Sequence, residues 1–256
     1  MPMLTSEDTR EPFLRDGLVW RSRRPWSEGV QELLTHIQAQ GFDAAPAAAG
    51  FIGQWERVSF VEGRVAEIET DAEMQSEPVL VSAAVLLRRL HDYTAAIAAD
   101  WAGRVWQLPP RVPFETICHG DFAPYNVVLR DGVVAGIIDF ETAHPAPRSW
   151  DLAYALYRWA PLSQHAAAPL ADIDAQIARA RRFLDAYGLA NRERAAIVDA
   201  VTERLRSLLD FMKQQADAGS TKYSDDLLEG DGRLYEADIA YLARHRKALL
   251  VGLLRR

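Results

Sequence analysis

Cysteine is almost missing from this sequence. Cys118 is the only one in 256 residues, so no internal disulfide can form, and the reducing cytoplasm is the expected setting. Zinc is disfavoured for a related reason: neither a cysteine cluster nor a histidine pair at helical spacing is present to hold it. Cys118 stands beside His119, but neighbours on an extended segment point to opposite faces, so a buried structural thiol is expected rather than a nucleophile with its base. No apolar run approaches the length needed to span a bilayer, and the opening MPMLTSEDTREPF has neither the basic start nor the apolar stretch of a signal peptide. Basic charge is also short. With 29 Lys and Arg against 36 Asp and Glu, the net charge is −7, which argues against broad nucleic-acid binding and favours cationic small molecules as partners. Finally, no Gly-x-x-x-x-Gly-Lys-Ser/Thr run occurs, which excludes a P-loop enzyme, and residues 1–16 contain no glycine at all.

What is present concentrates between Ile117 and Leu152, in ICHGDFAPYNVVLRDGVVAGIIDFETAHPAPRSWDL. His119-Gly120-Asp121 is followed five positions after the Asp by Asn126, in a loop that runs into the apolar Val127-Val128-Leu129. Asp131-Gly132 reads as a tight turn, and the β-branched run Val133 to Ile138 should return as the second strand of a hairpin. That hairpin brings Asn126 and Asp139 together. Two oxygen-bearing side chains held side by side suit Mg²⁺, which prefers hard oxygen ligands and keeps waters and phosphates for the rest of its shell. Asp121 is left free of the metal to accept the proton of an attacking hydroxyl, the division of labour of phosphoryl transfer. Blander roles fit other residues of the stretch: a structural ring for His119, a turn for Asp131, an N-cap for Asp151. Glu141 either faces the substrate or is a solvated loop carboxylate.

These residues resemble the aminoglycoside phosphotransferase family, kinase-like enzymes whose catalytic loop reads His-Gly-Asp-x-x-x-x-Asn and whose metal-binding segment reads Ile-Asp-Phe or Ile-Asp-Trp. The likeness is close from Ile117 to Leu156 and includes Trp150-Asp151-Leu152-Ala153, similar to the family's Asp-Leu-Ala, whose Asp buttresses the catalytic loop. The resemblance implies an α+β, protein-kinase-like two-lobe fold: a shortened nucleotide-covering β lobe at 1–63 and a mainly helical catalytic lobe at 64–256. It also implies a phosphate-binding cation, for which Arg21 is the candidate with Arg23 and Arg24 as alternatives. Glu32 would be that cation's ion-pair partner, and Phe60 and Val61 would contact the purine.

Along the chain, Phe13 to Arg21 reads as a hairpin turning at Asp16-Gly17, and Ser27 to Gly41 as a helix that Ser27 can cap. Residues 46–53 read as a loop, and Trp55 to Val61 as a strand. Apolar residues from Val79 to Ala99 recur at helical intervals, and His91-Asp92 within them is expected to be structural. Four more helices follow, at 152–159, 173–187, 191–212 and 234–254. The polar stretch 213–232 is either a substrate-side lid or a solvated connection.

The expected function is transfer of the γ-phosphoryl group of ATP or GTP to a hydroxyl of a small molecule. Asp121 is the base, and Asn126 and Asp139 hold Mg²⁺. The acceptor's identity is open. Asp151 follows Asp139 after only twelve positions, too few for a protein kinase's activation loop. Two rivals stand: a non-catalytic nucleotide-binding or regulatory protein of the same fold, supported by the missing Gly-rich loop, and a hydrolase of phosphorylated compounds using the same metal site.

Overall fold

The computed structural model describes residues 11–166 and 170–254, so most of the glycine-free start of the chain lies outside it. The chain opens with a four-stranded antiparallel sheet made of β1 (Phe13–Arg15), β2 (Leu18–Ser22), β3 (Ala48–Ile52) and β4 (Trp55–Ser59), in the order β1-β2-β4-β3. Asp16 and Gly17 turn the first hairpin at φ 53° and 73°, the left-handed pair that matches the twist of flanking strands. Between β2 and β3 runs α1 (Ser27–Ala39), which buries Val30, Leu33, Leu34 and Ile37. Ser27 does not cap it. Its hydroxyl is drawn instead to Glu56 at 2.7 Å, and Trp26 holds the cap position without a side-chain bond.

β3 stands where the sequence reads as a loop. An Ala- and Gly-rich segment carries little strand propensity, and pairing with β4, through a bulge between Ala48 and Phe51, supplies what the residues do not. At Gly63 (φ +140°) the chain crosses against the second half of the molecule. A Cβ there would lie 2.3 Å from Val128 Cγ1, so only glycine permits the approach. Arg64 then exchanges two backbone hydrogen bonds with Leu129.

The remainder is mostly helical. Ser76 caps α2 (Glu77–Thr94), whose Val79, Ala83, Leu87 and Leu90 face the core. A two-stranded pair follows, β5 (Thr116–Cys118) with β8 (His144–Ala146), enclosing the expected hairpin of β6 (Val127–Arg130) and β7 (Val133–Ile137), which turns at Asp131-Gly132. Then come α3 (Arg148–Trp159), α4 (Ile173–Tyr187), α5 (Asn191–Asp217), α6 (Thr221–Glu229) and α7 (Asp231–Leu254). The polar stretch 213–232 is therefore largely helical. α6 has no buried residue, so it leaves no apolar period to read. Phe122 stacks on Trp159 at 6.0 Å, and Trp159 meets Phe183 at 6.4 Å. Burying such a ring contributes roughly 1.5–3 kcal/mol, and this row ties the loop after Asp121 to α3 and α4. Among the described residues no helix is long and apolar enough to cross a membrane.

Candidate active site

Asp121, Asn126 and Asp139 converge as the hairpin requires. The backbone N–H of Ile138 donates to Asn126 O at 2.9 Å, and Val127 faces Ile137, so Asn126 and Asp139 emerge from adjacent strand ends. Asp139 adopts the left-handed region at φ 61°, a costly conformation for a non-glycine residue that is typical of functional turns. Its carboxylate is half exposed. Asn126 donates through Nδ2 to Asp121 O at 3.0 Å and Asp121 Oδ2 at 2.8 Å, which leaves its Oδ1 for a cation. Asp121 Oδ1 accepts from the Tyr125 hydroxyl at 2.9 Å, and that hydroxyl lies 3.1 Å from Tyr154 Oη. Burial raises the Asp121 pKa above the ordinary carboxylate range, with His119 and the Tyr125 hydrogen bond opposing the shift.

The loop that presents Asp121 is pinned from several sides. Asp151 accepts from the backbone N–H of His119 at 2.7 Å and of Gly120 at 3.0 Å, and from His91 Nε2 at 3.0 Å. Burial opposes its charge, yet these donors hold its pKa down to about 2. It lies inside α3 and does not cap it. His119 Nε2 contacts Ile138 O at 2.9 Å, and its Nδ1 accepts from Asp121 N at 3.3 Å. Since a carbonyl only accepts, Nε2 carries the proton, and the ring braces the catalytic loop against the strand that ends at Asp139. Arg204, on α5, donates to Gly120 O at 2.7 Å.

Arg21 reaches the site, but its partner differs from the expectation. Glu32 lies on the outer face of α1 and forms an ion pair with Arg104. The carboxylate that holds Arg21 is Glu56, directly opposite in the β2–β4 register, which accepts from Arg21 Nε at 3.0 Å and Nη2 at 3.2 Å. α1 contributes through the neighbours of Glu32: Ser27 and Gln31 both donate to Glu56. The free edge of the guanidinium then meets Asp139 at 3.3 Å and Glu141 at 3.8 Å. Burial works against its charge, but Glu56, Glu141 and Asp139 hold its pKa above the ordinary value. Glu141 is raised by burial and by Asp139. Asp139 and Glu141 thus share one counter-charge, Arg21, and the oxygen donors of Asn126 and Asp139 are of the kind that fits Mg²⁺.

Phe60 is exposed just beyond β4, with its N–H on Gly17 O, and Val61 packs against Gly136 of β7. Neither borders the cavity of about 600 Å³ that opens beside Asp121, Asp139 and Glu141 and is walled by α3, α5, α6 and α7. The sequence reading missed Glu56, Tyr125 and Arg204. Only Glu56 left a trace, as a charged residue at an inward position of an alternating strand.

A sheet joined to a helical body, with a pinned Asp-bearing loop facing a metal-suited hairpin, defines the protein-kinase-like class of phosphotransferases. The chain belongs to the phosphotransferase enzyme family. That family's profile matches residues 94–198, and the trifolitoxin immunity protein of Rhizobium leguminosarum bv. trifolii is 34% identical over 226 residues, covering 83% of this chain and 82% of that protein. Among solved structures, an ethanolamine kinase of Plasmodium vivax aligns with a TM-score of 0.60 at 12% identity, covering 92% of this chain and 83% of that one. A choline/ethanolamine kinase family protein of Mesorhizobium loti aligns at 0.59 and 14% identity, covering 98% and 93%. At such identities these two establish the fold.

Proposed function

We propose that this protein transfers the γ-phosphoryl group of ATP or GTP to a hydroxyl of a small molecule, with residues 1–63 covering the nucleotide and 64–256 carrying the chemistry. One observation carries the reading: the Asp121 carboxylate, held by Tyr125 and Asn126, borders the cavity within reach of the hairpin that ends at Asp139. Asp121 accepts the proton of the acceptor hydroxyl as its oxygen attacks the γ-phosphorus. The new O–P bond forms while the bond to the bridging oxygen breaks, and the nucleoside diphosphate leaves. Mg²⁺, held by Asn126 and Asp139, supplies charge neutralisation to the phosphates when bound. Arg21, clamped by Glu56, offers a second cation on the sheet side.

The relative named for immunity to trifolitoxin suggests a role for such chemistry, protection by phosphorylating a toxin's hydroxyl. The rival, a non-catalytic protein of the same fold, predicts no turnover. The test is nucleotide consumption and phosphorylated product across a panel of hydroxylated metabolites and antibiotics, with and without Mg²⁺. Asp121→Asn should lower turnover by roughly 10²-fold or more, the range for loss of a positioned general base, while nucleotide still binds. Near-normal turnover in the folded variant would remove Asp121 from the mechanism.

A further inference from the structure

The cavity beside Asp121 is not uniform in charge. The part formed by residues 107–111, β8, α3 and α5 carries two guanidinium groups on one indole: Arg111 lies 3.7 Å over the Trp150 ring and Arg204 lies 5.3 Å from it. Glu203 is the nearest carboxylate to Arg111, at 3.8 Å and largely exposed. The part formed by α6 and the start of α7 is acidic on balance, bordered by Asp226 and Asp231 against the single ammonium of Lys222.

The cationic part also holds buried polar atoms without partners: Arg204 Nε, Trp150 Nε1, His144 Nε2 and Gln107 Oε1, all on residues that line this cavity. Their chemistry is specific. Arg204 and Trp150 offer N–H donors. His144 spends its Nδ1 proton on Thr142 O at 2.8 Å, so Nε2 is an acceptor, and burial, which pushes its pKa down to about 4, keeps it one at neutral pH. Gln107 Oε1 is an acceptor as well. Buried groups of this kind are ordinarily satisfied, so a cluster of them on one cavity wall points to a ligand. Arg204 already donates through Nη2 to Gly120 O and Arg111 through Nη2 to Ser207 Oγ, both at 2.7 Å, but a purely cationic acceptor satisfies the acidic part alone and leaves Arg204 Nε and Trp150 Nε1 unmet beside that positive charge.

Resting on the phosphotransferase reading above, we infer that the acceptor is a hydroxyl-bearing zwitterion, an amino acid or short peptide. Its carboxylate end lies at Arg111, Arg204 and Trp150, and its ammonium lies toward Asp226 and Asp231. A planar carboxylate suits the guanidinium fork, while His144 and Gln107 accept from an adjacent O–H or N–H. A cavity of about 600 Å³ admits a peptide of a few residues as well as a single amino acid.

The probes are L-homoserine and the tripeptide Gly-Ser-Gly, each compared with its carboxamide and its N-acetyl form, alongside ethanolamine and choline. Binding is measured by calorimetry in Mg²⁺ and ADP, and phosphate transfer from ATP by mass spectrometry. At least one parent compound should bind tenfold or more tightly than its carboxamide and its N-acetyl form, and Arg111→Gln should erase the advantage over the carboxamide. Carboxamides, ethanolamine or choline binding as well as the parents would overturn the inference, as would failure of both parents to bind or an equal loss for parent and carboxamide in Arg111→Gln. Zwitterion binding without phosphate transfer to any acceptor would leave this inference standing and sink the phosphotransferase reading, whereas transfer to ethanolamine or choline alone would do the reverse.

Discussion

Asp151 and Glu56, both fully buried beside the site, are used in opposite ways. Asp151, in the helical body, gives its oxygens to the backbone of His119 and Gly120 and to His91, whose other nitrogen meets the Tyr187 hydroxyl at 2.7 Å. Glu56, in the sheet, gives its oxygens to Arg21, Ser27 and Gln31. The first network ends in main chain and fixes where Asp121 stands. The second ends in a cation whose outward edge is held only by long contacts to Asp139 and Glu141. A pair at 3.3 Å to a half-exposed carboxylate is weak, so in the proposed reaction Arg21 would exchange that partner for phosphate oxygens at little cost. One buried charge builds a rigid loop, and the other aims an adjustable counter-charge.

The most severe way to break this contrast is Asp151→Asn. One end of an amide would present N–H to groups that also donate, leaving a buried loop N–H or His91 unsatisfied. We expect roughly 3 kcal/mol lower stability by urea unfolding, together with loss of turnover even with saturating nucleotide. A change under about 1 kcal/mol would mean that the loop does not lean on this residue. The pH profile sharpens the test. A carboxylate held at about 2 when folded and near ~3.9 when unfolded contributes on the order of 2 to 3 kcal/mol above its unfolded pKa, lost as pH falls through the folded value. His144, buried neutral with its pKa pushed down to about 4, removes stability in a higher window, from ~6.5 downward, because the unfolded chain takes up its proton first. Wild type and Asp151→Asn should therefore fall in parallel between pH ~6.5 and ~4 and converge below, because only the wild type then loses the carboxylate's contribution.

Arg21→Ala tests the other network and should do less harm to the fold. Glu56 keeps Ser27 and Gln31 as donors but is left buried without its counter-charge, so the melting temperature should still fall clearly, though by less than in Asp151→Asn. Nucleotide affinity in calorimetry should drop about tenfold, equivalent to about 1.4 kcal/mol, with the Mg²⁺ dependence retained. An unchanged affinity would show that Arg21 is only the structural cap of Glu56.

The same contrast explains what the sequence could reveal. Asp121, Asn126 and Asp139 are legible because a short loop and a tight hairpin fix their spacing within twenty residues. The Asp131-Gly132 turn announces the register that joins them. Arg21 is legible only as one of several basic residues on a short strand. Its partner is not, because Glu56 is 35 positions away and the choice between it and Glu32 depends on which face of α1 turns inward. Arg204 lies 84 positions from the Gly120 carbonyl that it holds and has no local signature. α6 escaped because a helix with nothing buried has no apolar rhythm. Local geometry can be read from order and spacing, whereas the pairing of buried charges is a property of packing.

Asp121 itself lies between the two networks, and Tyr125 offers the smallest and most selective perturbation of it. The Tyr125 hydroxyl donates to Asp121 Oδ1 at 2.9 Å and lies 3.1 Å from Tyr154 Oη, so the hydroxyl pair orients one oxygen of the proposed base while Asn126 orients the other. Tyr125→Phe keeps the ring, which packs beneath Arg158 at 5.1 Å, and removes only the donor. Losing one hydrogen bond to a charged group is worth about 1.5 kcal/mol or slightly more, so kcat should fall by roughly tenfold. The nucleotide's KM should stay within a factor of about two, because the phosphate-side cation and the metal-suited oxygens are untouched. If the base is instead held by the loop alone, through Asp151 and Asn126, kcat will not change and the Tyr125–Tyr154 pair is only cavity lining. A loss confined to KM would mean that the hydroxyl touches the acceptor rather than Asp121.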